Sequence, residues 1–218
     1  MNNFTDSEKI IPNATVERLS TIYNFLLQLI LSNDSETRMT HISSNKIGEL
    51  IGVAPHTIRK DINFLGDIGL LGKGYSIKEL RELISKKLGL AKRKAAVIGL
   101  GKIGSAIMEY NNFYSAGIEI VAGFDSDINR IDTINTKIPL YPSREIAERI
   151  SEKNIDIAFL TSSPESAKVC LERLEKGGIK AILNFTPTIL VSENIHIRNM
   201  DFGLESTILS AMIGLNNK

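Results

Sequence analysis

The segment AAVIGLGKIGSAI, residues 95–107, determines which fold the second half of the chain can form. An apolar run of strand character leads directly into Gly99, Gly101 and Gly104, and the helix-forming residues KIGSAIMEY follow. This G-x-G-x-x-G pattern allows a tight turn, a close approach of the backbone to a pyrophosphate, and close packing of helix on strand. The first N–H groups of the helix then point at the anion. The segment therefore predicts a dinucleotide-binding β-α unit.

The residue that ends the next predicted strand indicates which nucleotide such a site prefers. That strand, IEIVAGFD, ends at Asp125, 21 residues after Gly104. A carboxylate there accepts hydrogen bonds from the ribose 2′-hydroxyl, and Ser126 and Asp127 include no arginine for a 2′-phosphate. This pattern favours NAD(H) over NADP(H). Two alternatives stay open: a Rossmann-like fold with a silent site, and a site for another nucleotide such as coenzyme A.

After Lys94, short apolar runs alternate with amphipathic helical segments. The predicted strands are AAVIGL, IEIVAGFD, IPLYP, IDIAFLTS, IKAILNF and IHIRNM. This alternation predicts a doubly wound, mainly parallel sheet of the Rossmann type. The nucleotide fold uses every one of these strands, and only a terminal helix, DFGLESTILSAMIGLNN, remains. His196 lies in a strand-like alternation, and no Ser/Tyr/Lys or His/Asp set shows itself by spacing, so we expect no catalytic residues and no enzyme.

The first part of the chain predicts a different kind of domain. Two short helical segments, SNKIGELIG and APHTIRKDINFLGDIG, are joined around GVA, and a glycine-spaced segment ending at Tyr75 follows. This is the outline of a winged helix-turn-helix, a DNA-binding architecture. The outward-facing residues of its third helix and of its wing suit phosphate and base contacts. The predicted DNA-binding residues are Ser44, His56, Thr57, Arg59, Lys60, Asn63, Lys73 and Tyr75.

The charge distribution agrees with such a division. The whole chain of 218 residues has a formal net charge of +1, but residues 39–94 hold eleven Lys and Arg against five Asp and Glu, while residues 95–218 hold twelve against fifteen. A basic segment joined to a mildly acidic one indicates that the first segment faces a polyanion. A solvated helix face and a protein-binding winged helix are the alternatives for this segment.

The chain contains one cysteine, Cys170, in an amphipathic stretch where a small buried hydrophobe is expected rather than a redox thiol. No run of about 18 apolar residues is present, and the first 20 residues are polar and acidic. We therefore expect a cytoplasmic protein without a membrane segment and without a metal site.

The sequence predicts three domains. Residues 1–90 form the DNA-binding domain, residues 91–200 the NAD(H)-binding domain, and residues 201–218 a dimerisation helix.

The order of these parts resembles the Rex family of redox-sensing transcriptional repressors. The resemblance spans about residues 12–215 and rests on ISSNKIGELIGVAPHTIRKDINFLGDIG, GKGY, VIGLGKIGSAI, FDSD, GIKAILNFTP and IRNMDF. It implies a homodimer in which winged helices bind operator DNA and Rossmann domains bind NADH or NAD. It also implies a C-terminal helix swapped against the partner subunit. In the family, NADH weakens operator binding and NAD permits it, so the nucleotide is a signal and not a reactant.

The resemblance also implies roles for individual residues. Arg59, Lys60 and Asp61 match the R-K-D of the family's recognition helix. Tyr110 aligns with a redox-sensing tyrosine, and Asp201 with Phe202 aligns with a pair that reaches the partner's pocket. The implied cofactor-binding residues are Gly99, Leu100, Gly101, Lys102, Ile103, Gly104, Asp125, Ser126, Thr161, Ser162, Asn184, Phe185, Thr186 and Phe202.

Several positions depart from the family pattern. In the wing, Leu71 replaces an arginine and Lys73 a valine, which moves the cation by two places. In the first helix, Asn24 stands where relatives often carry an arginine that pairs with the carboxylate corresponding to Asp201. Tyr110, Asp201 and Asn24 are therefore the predicted switch residues, in a divergent member of the family. The competing hypotheses are a coenzyme A-binding Rossmann protein of an acyl-CoA ligase-like enzyme and a dimeric interaction module without ligand response.

Overall fold

The computed structural model describes residues 11–31, 39–66, 74–110, 113 and 116–216, and the chain forms two compact units, Met1–Ala91 and Lys92–Lys218. Both predicted architectures are present, a helix-turn-helix unit of the winged type and a doubly wound parallel sheet. The predicted wing residues Leu71 and Lys73 lie outside the described residues. We describe each unit by itself.

The first unit is a small helical domain closed by a two-residue strand pair. Its elements are α1 (Asn13–Leu31), β1 (His41–Ile42), α2 (Ser44–Ile51), α3 (Pro55–Ile62) with a 3₁₀ turn (Asn63–Leu65), β2 (Tyr75–Ser76) and α4 (Ile77–Lys87). Strand β1, which the sequence pattern did not predict, pairs antiparallel with β2. Ser43 caps α2 through its hydroxyl, and Pro55 begins α3, where a missing N–H leaves no hydrogen bond unmade.

The core of the first unit is aliphatic. Its fully buried side chains come from all four helices and from β1, and they are Leu19, Ile22, Leu26, Ile42, Ile47, Ile58, Ile62, Leu80 and Ile84. Leu19, Ile22 and Leu26 form one buried stripe along α1. The opposite faces of α2 and α3 are left to the solvent.

The second unit is an open sheet with helices on its faces. Its elements are β3 (Arg93–Ile98), α5 (Lys102–Glu109), β4 (Ile118–Asp125), α6 (Ile128–Thr133), β5 (Leu140–Pro142), a 3₁₀ turn (Ser143–Glu145), α7 (Ile146–Lys153), β6 (Ile157–Leu160), α8 (Pro164–Gly177), β7 (Ala181–Asn184), β8 (His196–Asn199) and α9 (Phe202–Asn216). The strand order is β5-β4-β3-β6-β7-β8, and the paired strands all run parallel. From β3 the chain first builds outward to β4 and β5 and then returns to the other side of β3 with β6, so the order reverses between β3 and β6. Ligands of such sheets bind at this reversal, outside the carboxyl ends of the strands.

Helix α9 differs from the other helices because its large apolar side chains are exposed. Phe202, Leu209, Met212, Ile213 and Leu215 are each more than half exposed in the single chain. A monomer in water gains nothing from such a helix, so this surface is a candidate for burial against another molecule.

One buried carboxylate fixes α3 against α1. Asp61 of α3 is 2% exposed, and its Oδ1 accepts hydrogen bonds from Thr15 Oγ1 at 2.9 Å and from Arg18 Nη2 at 2.8 Å. Arg18 Nε donates to the other oxygen at 2.5 Å. The R-K-D match therefore contains two exposed cations and one acid that serves the fold.

We expect Arg18→Ala to lower the free energy of unfolding by about 2–4 kcal/mol, because it leaves the Asp61 carboxylate buried without its counter-ion. Urea unfolding followed by far-UV circular dichroism measures the change. Glu49→Ala is the matched control, since it removes the exposed Lys46–Glu49 pair and should cost less than about 0.5 kcal/mol. Equal destabilisation by the two variants would refute the structural role of Asp61.

Candidate functional site

The three glycines of the loop after β3 have different surroundings. Gly99 has φ +97°, and a Cβ there would stand 2.7 Å from the backbone nitrogen of Ser162. A Cβ on Gly104 would stand 1.9 Å from the carbonyl oxygen of Gly99. A Cβ on Gly101, in contrast, would meet no atom within 4 Å. The first and third glycines thus allow the chain to pack, and the second leaves free space at the start of α5 for a pyrophosphate.

Asp125 ends β4 beside this loop, and hydrogen bonds fix its carboxylate. Its Oδ2 accepts from the backbone N–H of Leu100 at 2.6 Å, and its Oδ1 accepts from the backbone N–H of Asp127 at 2.8 Å. Burial alone raises the pKa of Asp125, but these two N–H groups and the Arg130 guanidinium outweigh burial, so the pKa is lowered. The carboxylate is therefore ionised at neutral pH and has one free lone-pair position in the cleft, which suits a ribose hydroxyl.

Arg130 is a site residue that the sequence pattern did not indicate. Its Nη1 donates to Asp125 Oδ2 at 2.9 Å, and its side chain is 44% exposed at the cleft. The residues directly after Asp125 include no arginine, but the first turn of α6 brings this one back to the carboxylate. A helical spacing of five residues after the acid is the signal that could have found it.

These residues line a cleft of about 530 Å³ at the carboxyl ends of β3, β4 and β6. Six predicted cofactor residues lie on its wall: Gly99, Gly101, Asp125, Ser126, Thr161 and Ser162. The sequence did not predict the other polar lining residues, which are Arg130, Ser143, Ser163, Glu165, Ser166 and Arg173. Arg173 of α8 donates to the carbonyl oxygen of Ser143 at 3.0 Å and closes the far end of the cleft.

Cys170 also lies on this wall, and it is 5% exposed, as expected for a small core residue. Burial raises the pKa of its thiol, which keeps the sulfur protonated and weakly nucleophilic.

Three residues of the glycine loop contribute differently from what the resemblance implies. The side chain of Leu100 is 2% exposed, and its N–H is already bonded to Asp125. Lys102 and Ile103, at the start of α5, are exposed and stand outside the cleft lining. None of these three side chains therefore lies where an anion is expected, and the residues at the start of α5 would contribute only their backbone N–H groups.

The loop after β7 is held from within. Asn184 is fully buried, and its Nδ2 donates to the carbonyl oxygen of Thr188 and to Asn199 Oδ1, each at 2.8 Å. Its Oδ1 accepts from the N–H and the hydroxyl of Thr186. The side chains of Asn184 and Thr186 therefore shape the loop, and Phe185 between them is half-buried against the core. None of these three residues lines the cleft.

Aromatic rings of the second unit form two groups of contacts. The ring centroids of Phe185 and Phe202 are 6.3 Å apart. Tyr110, at the end of α5, is 53% exposed and meets Phe113 edge to face at 4.9 Å, and Phe113 lies 4.8 Å from the buried Phe159. Offset and edge-to-face rings at these distances are typical of stable aromatic clusters.

The other two predicted switch residues occupy different units of the chain. Asp201 precedes α9, and its Oδ1 accepts from the N–H groups of Gly203 at 2.8 Å and Leu204 at 3.3 Å, so it caps that helix. Asn24 is exposed on α1 in the first unit. The Asp201 carboxylate thus already has partners within its own helix.

Four of the eight predicted DNA-binding residues form one exposed surface on α3 and the turn after it. His56, Arg59, Lys60 and Asn63 are exposed on α3 and the turn after it, and Thr57 is half-buried. Ser44 is buried, and its hydroxyl accepts a hydrogen bond from Arg59 Nη1 at 2.9 Å. Tyr75 is half-buried in β2 and packs on the aliphatic core. Lys73 lies outside the described residues.

Two features were not found in the described part of the chain. Among residues 11–31, 39–66, 74–110, 113 and 116–216, no three His, Cys, Asp or Glu side chains gather as metal ligands. No described helix has the length and apolar character needed to cross a membrane.

The chain matches two family models. A model described as "CoA binding domain" covers residues 91–188, and one described as "Putative DNA-binding protein N-terminus" covers residues 10–63. The first is a Rossmann-like match that includes the glycine loop, Asp125 and the loop after β7, and the second includes α2 and α3. Both halves of the architecture are thus found in known families.

Whole-length relatives connect the two halves. The redox-sensing transcriptional repressor Rex of Syntrophomonas wolfei is 35% identical over 210 residues, which cover 95% of this chain and 98% of that protein. Rex of Desulforamulus reducens is 32% identical over the same coverage. Crystal structures of RSP, a Rex-family repressor, have TM-scores of 0.80 with β-NAD⁺ and operator DNA bound and 0.79 with β-NADH bound, at 29% and 28% identity. The first covers 96% of this chain and 94% of the RSP chain, and the second covers 96% of each.

Sequence identity, coverage and fold therefore agree with the glycine loop, the ribose acid and the exposed cations of α3: the chain belongs to the Rex family of redox-sensing transcriptional repressors.

Proposed function

We propose that this protein is a repressor that binds operator DNA through α2 and α3 and is released when NADH occupies the cleft at β3, β4 and β6. The observation that carries the proposal is the Asp125 carboxylate, which is ionised, fixed by two backbone N–H groups and placed beside the open position at Gly101. That arrangement suits a dinucleotide in a chain whose other unit has the form of a DNA reader.

In the cleft, different residues would contact different parts of the dinucleotide. Gly101 and the start of α5 would receive the pyrophosphate, and Asp125 would accept from the adenosine ribose. Phe185 and Phe202, whose ring centroids are 6.3 Å apart, and Tyr110 would border the nicotinamide, as the family resemblance implies. When bound, NAD⁺ and NADH differ at the nicotinamide by one positive charge, which is the signal that these three residues and Asp201 would distinguish.

On the DNA side, Arg59 and Lys60 supply charge at the exposed face of α3. Arginine reads guanine in the major groove through two parallel N–H donors, and lysine neutralises a phosphate. His56, Thr57 and Asn63 on the same face add hydrogen-bonding groups of the type that contacts base edges.

The dimer completes the proposal. The exposed apolar residues of α9 are the surface that a second copy would cover, with the swapped helix that the family resemblance implies. Two coupled α3 helices then read two half-sites of a palindromic operator, since the symmetry of a helix-turn-helix dimer is matched by its site.

Coenzyme A is the second candidate ligand, because the family model for residues 91–188 is described as a coenzyme A-binding domain. Calorimetric titration of the purified protein with NADH and with coenzyme A separates the two. The proposal requires NADH to bind more tightly, and a preference for coenzyme A would favour the enzyme-like alternative.

We expect Asp125→Ala to weaken NADH binding by about 10- to 100-fold, the usual cost of losing a hydrogen bond to a charged group. Quenching of NADH fluorescence or calorimetry measures the affinity. Asp132→Ala removes the same charge from an exposed position on α6 and should change it by less than about twofold.

The pKa of Asp125 is lowered in the folded protein, so its carboxylate is charged at every pH above its ordinary pKa. The contribution of this charge to NADH affinity is lost only as the pH falls through the lowered pKa. NADH affinity should therefore stay constant from about pH 8 to about pH 5 as far as Asp125 is concerned. An unchanged affinity in Asp125→Ala would remove the ribose assignment.

Lys60→Ala should weaken binding to a duplex selected from a random pool by about tenfold and reduce the salt slope of log K by about 1, through one lost phosphate contact. Lys78→Ala, an equal change of charge on the exposed face of α4, is the control. Gel-shift titration at several salt concentrations measures both. If Lys60→Ala and Lys78→Ala have the same affinity, α3 is not the reading helix.

NADH should release the selected duplex at concentrations where NAD⁺ does not, because the two ligands favour different arrangements of the dimer. Fluorescence anisotropy of a labelled duplex, titrated with each nucleotide, measures the release. Asp125→Ala should bind the duplex like the wild type but need more NADH for release. Equal release by both oxidation states would contradict the redox switch.

A further inference from the structure

The recognition helix carries an arginine whose guanidinium is tied to a buried hydroxyl. Ser44, the first residue of α2, is 9% exposed, and its Oγ accepts a hydrogen bond from Arg59 Nη1 at 2.9 Å. Arg59 itself is exposed on α3. The predicted role of Ser44 as a direct DNA contact therefore does not fit its burial or the partner of its hydroxyl.

The close approach of α2 and α3 brings the two residues together. A Cβ on Gly48 would stand 2.3 Å from the carbonyl oxygen of Val53, so only glycine allows the turn between the helices to pack on α2. Val53 N–H also donates to the carbonyl oxygen of Gly48 at 2.9 Å. The hydroxyl at the start of α2 thus meets a side chain from the second turn of α3.

The hydrogen bond leaves the reading edge of the guanidinium free. Arginine has five N–H donors in a planar fork, and Ser44 takes one of the two on Nη1. Nε and Nη2 of Arg59 have no partner within the described part of the chain, and these two nitrogens form one of the parallel donor pairs that fit guanine O6 and N7. The serine therefore fixes the plane of the fork without using the pair that would read the base.

We propose that Ser44 is a positioning residue for base recognition, which holds the Arg59 guanidinium in its reading orientation before DNA arrives. The inference rests on the proposed DNA-binding function and adds the residue that gives Arg59 its selectivity. An exposed arginine otherwise samples many rotamers, and ordering it at an interface reduces affinity. By fixing the side chain in advance, Ser44 lowers the entropic cost of ordering Arg59 against the base that it recognises. It has no effect on the electrostatic attraction between the protein and the phosphates of any duplex.

Ser44 does not also hold its helix together. Ser43 is the capping residue of α2, since its hydroxyl accepts from the N–H of Lys46 at 3.1 Å. Removing the Ser44 hydroxyl should therefore leave the thermal unfolding temperature of the protein nearly unchanged. An effect on selectivity without an effect on stability is what separates positioning from folding.

The test is a double-mutant cycle on the full-length protein with Ser44→Ala, Arg59→Ala and the double variant. Each is titrated with the duplex selected by the wild type and with a scrambled duplex of equal length. Ser44→Ala should weaken the selected duplex by about 3- to 10-fold, the usual cost of ordering one long side chain, and leave the scrambled duplex and the salt slope unchanged. In the Arg59→Ala background the same substitution should have no further effect.

Two controls complete the cycle. Ser85→Ala, a half-buried serine of α4 in the same unit, should leave both affinities unchanged. Ser44→Thr keeps the hydroxyl and should recover most of the selectivity. A loss that is additive with Arg59→Ala, or that is equal on both duplexes, would overturn the inference while leaving the DNA-binding function intact.

A second measurement needs no DNA. The ¹⁵N heteronuclear NOE of the Arg59 Nε in the free protein should fall in Ser44→Ala, because the guanidinium loses its anchor. If Arg59 is equally mobile in wild type and variant, the positioning role is wrong. A wild type that selects no duplex from the pool while the NOE result holds would overturn the proposed function and not the Ser44–Arg59 anchor.

Discussion

The ionised carboxylate of Asp125 is the constraint on which the nucleotide site depends. It receives the N–H of Leu100 from the glycine loop, the N–H of Asp127 from the next loop and the guanidinium of Arg130 from α6. Three separate segments are thus fixed by one charged group whose desolvation is outweighed by hydrogen bonds. The glycines give the loop its shape, and the carboxylate holds that shape in place.

A second buried carboxylate has the same function in the other unit. Asp61 accepts from Thr15 and Arg18, and these bonds set the rotation of α3 relative to α1. This rotation determines which side chains of α3 are exposed. The exposure of Arg59 and Lys60 therefore depends on Asp61, the next residue in the sequence, whose side chain is buried. Breaking such a pair is costly because the remaining charge stays buried, which makes the geometry of the reading face resistant to small changes.

The sequence predicted the parts of each site that follow from spacing and not those that follow from side-chain direction. The positions of Gly99, Gly104 and Asp125 could be predicted because a β-α turn and a strand end fix where such residues lie. Arg130 was missed because its contact requires α6 to turn back on the strand. Asn184 shows the converse: a family motif gave its position, but its amide is buried and its hydrogen-bonding groups are used by the loop and by Asn199 of β8. Strand β1 has only two residues, too few for any period to be visible.

A switch between two arrangements of a dimer needs only a modest difference in ligand affinity. Changing operator occupancy from about nine-tenths to about one-tenth requires roughly an 80-fold shift, or about 2.6 kcal/mol, which lies within the usual range of coupling free energies. One positive charge about 5 Å from a carboxylate is worth about 1–3 kcal/mol at effective dielectric constants between 80 and 20. At the lower of these dielectric constants, one carboxylate near the nicotinamide would supply a coupling free energy of this size. In the proposed switch, the Asp201 carboxylate would respond to that charge, so the proposal does not depend on an arginine at position 24.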